Sequence, residues 1–213
     1  MTRPPEVVTG LVLLALAGAA CSAAAATNVI ISEYVEGSSN NKAIEIYNGT
    51  GASVTMDLFR LDVYFNGSTT PTSLAFNPII VPHGNVFVFA AGNADAAILA
   101  QADQTTAVGL WNGDDAIVLS RVADNAVIDV IGQVGLDPGS EWGTGLTSTA
   151  DNTLRRLPGV CDGRTNPALA FDPALEWAGY ALDIFDGLGT HVTTCEPIAT
   201  TVDSWSGLKA TYR

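Results

Sequence analysis

Two short runs in this chain, Val29 to Val35 and Ala43 to Tyr47, alternate apolar and polar side chains, with Glu36-Gly37-Ser38-Ser39-Asn40-Asn41-Lys42 between them. Successive side chains of a strand point to opposite faces, so alternation of this kind marks a strand with one buried face. A Gly/Ser/Asn cluster joining two such runs closes them into a β-hairpin. The chain is thus committed to sheet early, and its later residues must supply that hairpin with partners.

The downstream pattern supplies them. Ser53 to Met56 reads as a short connecting strand, and Arg60 to Phe65 alternates before ending in Asn66-Gly67, a tight-turn signal. Ser73 to Val81 and Val86 to Ala90 read as two more strands separated by Pro82-His83-Gly84-Asn85. Val86-Phe87-Val88-Phe89 is apolar throughout, which places it at the centre of a sandwich. Asp95 to Ala102 instead favours a short helix, with Asp95 near its start. Ala116 to Val122 and Ala126 to Val130 form a second hairpin about Asp124-Asn125. Gly135 to Gly145 is a long loop anchored by Trp142, and Asn152 to Leu157 reads as the last strand. No self-similar repeat is visible, which excludes a solenoid or propeller. Many short strands, turn signals between them and almost no helix define an all-β fold, a β-sandwich.

The ends of the chain read differently. Arg3, an apolar stretch from Val7 to Ala20, and small residues through Ala26 describe a secretory signal over residues 1–26. Cleavage after Ala26 would leave Thr27 first, with no transmembrane segment in the mature chain. A lipoprotein route through Cys21 is the rival, although Gly18 stands where such a signal usually carries Leu. Residues 27–157 form the sandwich. Residues 158–196, rich in Asp, Gly and Pro and carrying Trp177, Tyr180 and Phe185, form an irregular flap folded onto it, and 197–213 a mobile tail.

Charge and cysteine usage bound the function. The 9 basic and 22 acidic residues give a net charge of −13, unchanged by loss of the signal, which removes one Arg and one Glu. Such a chain is repelled by a phosphate backbone at long range, so direct nucleic-acid binding is not expected. The expected partner is a protein or surface ligand that the sequence does not identify. Cys161 and Cys195 are the cysteines outside the signal, and in an oxidising compartment they most simply form one disulfide. Two unpaired buried thiols are the alternative. In the loop-entropy description the bond would stabilise the fold by roughly 4 kcal/mol.

Three segments resemble the lamin-tail domain family. They are the opening hairpin with Ile31, Glu33 and Glu45-Ile46-Tyr47-Asn48, the stretch LWNGDDAIVL from Leu110 to Leu119, and Val127-Ile128-Asp129-Val130. The resemblance covers roughly Asn28 to Gly132 and implies an immunoglobulin-like β-sandwich. DPGSEWGTG, TADNTLRR and FDPALEWAGY are similar to a narrower group, domains at the front of large secreted bacterial nucleases and phosphatases. In those proteins catalysis belongs to a following domain, and this chain stops where such a domain would begin.

Candidate chemistry is sparse. A metal-dependent nuclease site needs several His, Asp and Asn side chains converging on a divalent ion. The histidines here are His83, in a turn after Pro82, and His191, beside the flap. No Gly-x-Ser-x-Gly elbow, phosphate loop or dinucleotide fingerprint appears. No catalytic residue is therefore assigned, and the chain is not expected to be an enzyme. The cofactor that the sequence could accommodate is a structural calcium ion. Asn112, Asp114 and Asp115 crowd one turn, and calcium takes oxygen ligands of this kind. The alternative is that Asp114 shapes its turn through backbone hydrogen bonds. Glu33, Glu36, Asp183 and Asp186 are further acidic candidates. In the basic doublet Arg155-Arg156, strand alternation predicts one guanidinium on a carboxylate and the other in solvent. Trp111, Trp142, Trp177 and Tyr180 either line a groove or hold the core and loops together.

Overall fold

The computed structural model describes residues 29–195, so the expected signal peptide, the Cys21 route and the tail lie outside the described residues. The strands, in chain order, are β1 (Val29–Glu36), β2 (Lys42–Asn48), β3 (Val54–Thr55), β4 (Phe59–Tyr64), β5 (Thr72–Ala75), β6 (Ile80–Val81), β7 (Val86–Ala91) and β8 (Gln104–Thr106), with helix α1 (Ala96–Leu99) before β8. They continue as β9 (Ala116–Arg121), β10 (Val127–Ile131), β11 (Gly143–Thr144), β12 (Thr147–Ser148), β13 (Asn152–Arg156) and β14 (Trp177–Tyr180). A six-stranded sheet in the order β14-β13-β1-β2-β7-β8 faces a four-stranded sheet in the order β10-β9-β4-β5. Two small ladders, β11–β12 and β3–β6, lie beside them.

The first hairpin forms as its alternation requires, with Tyr34 opposite Ile44 and Ile31 opposite Ile46. Its register shifts at Ser32, so β1 carries a bulge between Ile31 and Glu33. An extra residue reverses the alternation beyond it. Ile31 and Tyr34 therefore both reach the inter-sheet core, where Ile44, Ile46, Leu61, Phe87, Phe89, Ile117, Leu119 and Leu154 join them. Glu33 turns instead to the outer face beside Val35. Strand β7 is buried on both faces, as its unbroken apolar run predicts: Phe87 and Phe89 enter the main core, Val88 and Ala90 an outer cluster with Ile98 and Leu188. The groove reading fails for the tryptophans. Trp111, Trp142 and Trp177 are all buried core residues, and Trp111 stacks on Tyr34 and donates its Nε1 proton to the Val35 carbonyl at 3.1 Å.

Several expectations need correction. Ser73 to Val81 is not one strand. Asn77-Pro78 interrupts it, leaving β5 in the four-stranded sheet and β6 paired with β3; proline has no N–H for a ladder. Strand β8 has too little apolar alternation to announce itself, yet it pairs parallel with β7 after a crossover carrying α1, whose N-cap Asp95 accepts a hydrogen bond from Ala97 N. Asn152 to Leu157 is not the last strand either. Out of the segment read as irregular flap, β14 pairs with β13 and becomes the sheet edge. Cys161 and Cys195 are disulfide-bonded with Cα atoms 5.5 Å apart, closing a loop that contains β14.

Trp111 fills the core and is 1% exposed. Trp111→Ala is expected to cost about 3–5 kcal/mol through lost burial and an incompletely collapsed cavity. The check is urea unfolding, with a lower midpoint at unchanged slope.

Candidate functional site

Polar side chains concentrate in two places. The first joins the sheets. Asp129 sits at a second bulge, where the β10 register shifts between Val127 and Asp129. Its fully buried carboxylate accepts from Ile31 N at 2.9 Å, Val130 N at 2.8 Å and Arg164 N at 2.9 Å, and pairs with Arg156. The Arg156 side chain is itself fully buried. It donates Nε to the Ile31 carbonyl at 2.9 Å and a terminal nitrogen to Glu176 at 2.6 Å, and lies 4.0 Å over the Trp177 ring. Both backbone polar groups of Ile31 are thus satisfied by side chains rather than by a strand. Buried backbone groups need partners, and here Asp129 and Arg156 extend the edge of β13 by proxy. Gly163 makes this geometry accessible: a Cβ there would overlap the Ile128 carbonyl and the Asp129 side chain.

The second cluster lies on the outer face of the six-stranded sheet. Register places Arg155, Glu33 and Glu45 side by side on β13, β1 and β2. Arg155 Nε donates to Glu33 Oε2 at 3.2 Å, and its far end pairs with Asp186. Its guanidinium also lies 4.0 Å over the Tyr180 ring. Glu45 accepts from Ser32 Oγ at 2.7 Å and from Gly189 N at 2.7 Å. Glu33 and Glu45 are 2% and 0% exposed. Among the described residues Glu33 Oε1 has no hydrogen-bond partner. Burial pushes the Glu33 carboxyl up to about 8 against the pull of Arg155, with the Glu45 charge adding to the rise. Burial likewise pushes Glu45 up to about 7, moderated by Ser32 and Gly189. A cleft of about 290 Å³ opens beside them, lined by Glu33, Arg155, Tyr180, Thr190 and His191. His191 packs on Tyr47, ring centroids 4.8 Å apart, and burial followed by the Arg156 charge lowers it to about 4.

The residues singled out in the sequence fall in different parts of the fold. Asn112, Asp114 and Asp115 do meet in one turn, and it is Asp115 rather than Asp114 that shapes it. Asp115 accepts from Asn66 N at 2.8 Å and Asn112 N at 3.1 Å. With its amide nitrogen turned inward, Asn112 also donates to Asp115 Oδ2 at 2.7 Å and to Asp114. Among the described residues no group of three or more His, Cys, Asp or Glu is placed to hold a metal ion. Glu36 pairs with Lys42 across the first hairpin. Asp183 reaches that hairpin's turn, accepting from Ser38 N at 2.9 Å and Asn41 Nδ2 at 3.0 Å. His83 accepts from Gly51 N at 3.1 Å. Neither guanidinium of the Arg155-Arg156 doublet is given over to solvent, because flanking strands and the flap bring a carboxylate to each. The pairing of Glu33 with Glu45 was hidden in the sequence by the bulge at Ser32.

The fold that carries these clusters is an immunoglobulin-like all-β sandwich. The chain belongs to the lamin tail domain family, whose model (Lamin Tail Domain) matches residues 22–135, a span that takes in β1 to β10. No curated protein and no solved structure matches the chain. Among the described residues no helix is long and apolar enough to cross a membrane.

Removing one member of a buried ion pair strands the other without a counter-charge. Asp129→Ala is therefore expected to lose about 3–5 kcal/mol in chemical denaturation, with Gly163→Ala destabilising in the same direction.

The outer cluster predicts a pH dependence. Glutamate titrates near about 4.3 in an unfolded chain, whereas Glu33 and Glu45 hold their protons to about 8 and about 7 in the fold. The folded state then binds more protons than the unfolded one across that window, so this contribution is full below the unfolded value, declines as pH rises and is gone once pH has passed about 7 for Glu45 and about 8 for Glu33. His191 acts oppositely, weakening the fold only below about 6.5, where the unfolded imidazole takes a proton. Stability measured by urea unfolding should fall between pH 6.5 and 8.5, and Glu33→Gln with Glu45→Gln should flatten the decline.

Proposed function

We propose that this chain is a secreted, non-catalytic interaction module. The observation that carries the reading is how its polar groups are used. Asp129, Arg156, Arg155 and Asp115 spend their hydrogen bonds joining strands and loops, which is structural work rather than the convergence of free groups on an open cleft that catalysis requires. The disulfide favours an oxidising compartment and so supports export.

Recognition then falls to the loops, where a rigid sandwich presents side chains to partners. Leu146, Leu169 and Leu175 are 57%, 58% and 75% exposed. They sit in the loops whose neighbouring residues Thr144, Thr147, Phe171 and Ala174 line a shallow cleft of about 440 Å³. Exposed apolar side chains beside a concavity suit a protein or surface ligand, and the net charge of −13 disfavours nucleic acid.

A second reading makes the chain the accessory front of an extracellular metal-dependent nuclease or phosphatase. The segments similar to that group contribute β11, β13, β14 and the Arg155-Arg156 doublet, integral parts of the folded unit. Under this reading too the chemistry lies in another domain.

Purified protein should fail to nick supercoiled plasmid with magnesium or manganese; metal-dependent nicking by clean protein would overturn the non-catalytic reading. Sedimentation with cell-envelope fractions should pull the wild type down. The Leu146→Asp, Leu169→Asp, Leu175→Asp variant, folded by circular dichroism, should remain in the supernatant. Equal sedimentation would move recognition elsewhere.

A further inference from the structure

The segment after β14, residues 181–195, runs back over the outer face of the six-stranded sheet and is fixed at both ends. At one end β14 pairs with β13. At the other, Thr194 N donates to the Pro158 carbonyl at 2.8 Å and Cys195 is bonded to Cys161. Between these anchors it is held by Asp183 on the Ser38–Asn41 turn, Asp186 on Arg155, the bond from Gly189 N to Glu45 Oε2, and His191 on Tyr47. Leu188 and Phe185 cover an apolar strip of Val35, Ala43, Val88, Ala90 and Ile98. Gly187 lies so close to the Arg155–Glu33 pair that a Cβ would overlap both partners. The segment seals Glu33 and Glu45 from solvent.

The charges around Arg155 do not balance. Glu33 on β1, Glu45 on β2 and Asp186 on the segment surround a single guanidinium, Arg155 on β13. The other neighbours cannot make up the difference: Tyr180 on β14 offers a ring, Val88 on β7 is apolar, and Gln101, following α1, is neutral where it meets Gly189. His191 on the segment is held neutral by burial and faces Arg156, which Asp129 and Glu176 already neutralise. Lys42, toward the hairpin turn, is paired with Glu36. Like charges directly opposite on neighbouring strands repel, and sealing an unpaired carboxylate from water carries a heavy desolvation cost. Asp186 itself lies in solvent, its side chain 81% exposed, and draws on the same guanidinium, so closing the segment over Glu33 and Glu45 requires protons.

We propose that residues 181–192 form a proton-latched strap, closed over the Glu33–Glu45 pair when these carboxyls are neutral and released from the sheet when they ionise, uncovering the apolar strip beneath. The raised proton affinity of both glutamates is the linked expression of this closure. Because both ends stay anchored, release is a local opening that leaves the sandwich folded.

Amide hydrogen exchange of the full chain tests it, with rates normalised to the intrinsic exchange at each pH and β2 amides as the reference. Normalised exchange of Leu188 and Gly189 should rise roughly ten- to a hundredfold between pH 6 and 9 while β2 stays protected. In the Glu33→Gln, Glu45→Gln variant the rise should vanish. A flat wild-type profile, or the same rise in the variant, would overturn the proposal. Should the variant not fold, ¹³C titration of the wild-type glutamate carboxyls decides. Midpoints above about 6 for Glu33 and Glu45 support the latch, and midpoints near the ordinary value of about 4.3 sink it.

Discussion

The structure turns on the Asp129 carboxylate at the meeting point of two bulges. One lies in β1 at Ser32, the other in β10 between Val127 and Asp129. Each bulge breaks a ladder, and a broken ladder inside a sandwich leaves backbone groups that no water can reach. Asp129 and Arg156 answer for Ile31 on both its polar atoms. In doing so they bring together residues 98 and 125 positions apart in the chain. Apolar contact between two sheets fixes their separation but little else, whereas a charged pair with directed hydrogen bonds fixes register. The sandwich has that pair at its seam.

The same bulge settles what lies outside. By reversing the alternation of β1 it sends Tyr34 inward, to stack on Trp111, and Glu33 outward, opposite Glu45. A strictly alternating β1 would have placed Glu33 on the face of Val29 and Ile31, among apolar residues of the facing sheet. One extra residue therefore moves a carboxylate out of the core and creates a second buried polar cluster that only a covering segment can enclose. The two clusters share β13: Arg156 serves the first and Arg155 the second.

Most of the sheet was legible because alternation is a direct imprint of the pleat. The first hairpin, β7 buried on both faces, the hairpin about Asp124-Asn125 and the Asp95 cap all derive from local residue order, and the cysteine pair from the count of cysteines outside the expected signal. The elements that stay hidden depend on non-local pairing. Strand β8 is three residues long and β14 is WAGY; neither alternates long enough to stand out, and each is a strand because a neighbour offers it a free edge. The break at Asn77-Pro78 is different, since the proline that causes it is plain in the residue order. The outer cluster could not have been found from spacing, because it depends on a register shift. Its one local sign is the unusual placing of Glu33 and Glu45 inside otherwise strand-like apolar runs. The turn around Asn112 shows the opposite case: its three side chains do converge, with the shaping role on Asp115 instead of its neighbour.

The Cys161–Cys195 bond also governs how load would travel through the molecule. A pull on the chain beyond Cys195 passes through the covalent bridge to Cys161, five residues after Arg156 in β13. Tension then bypasses β14 and the covering segment, which hang as a slack loop off the line of force. The sheet would bear the load through β13, held between β1 and β14 on both flanks, and the fastening of the outer face could open and close without being dragged by whatever the chain is tethered to.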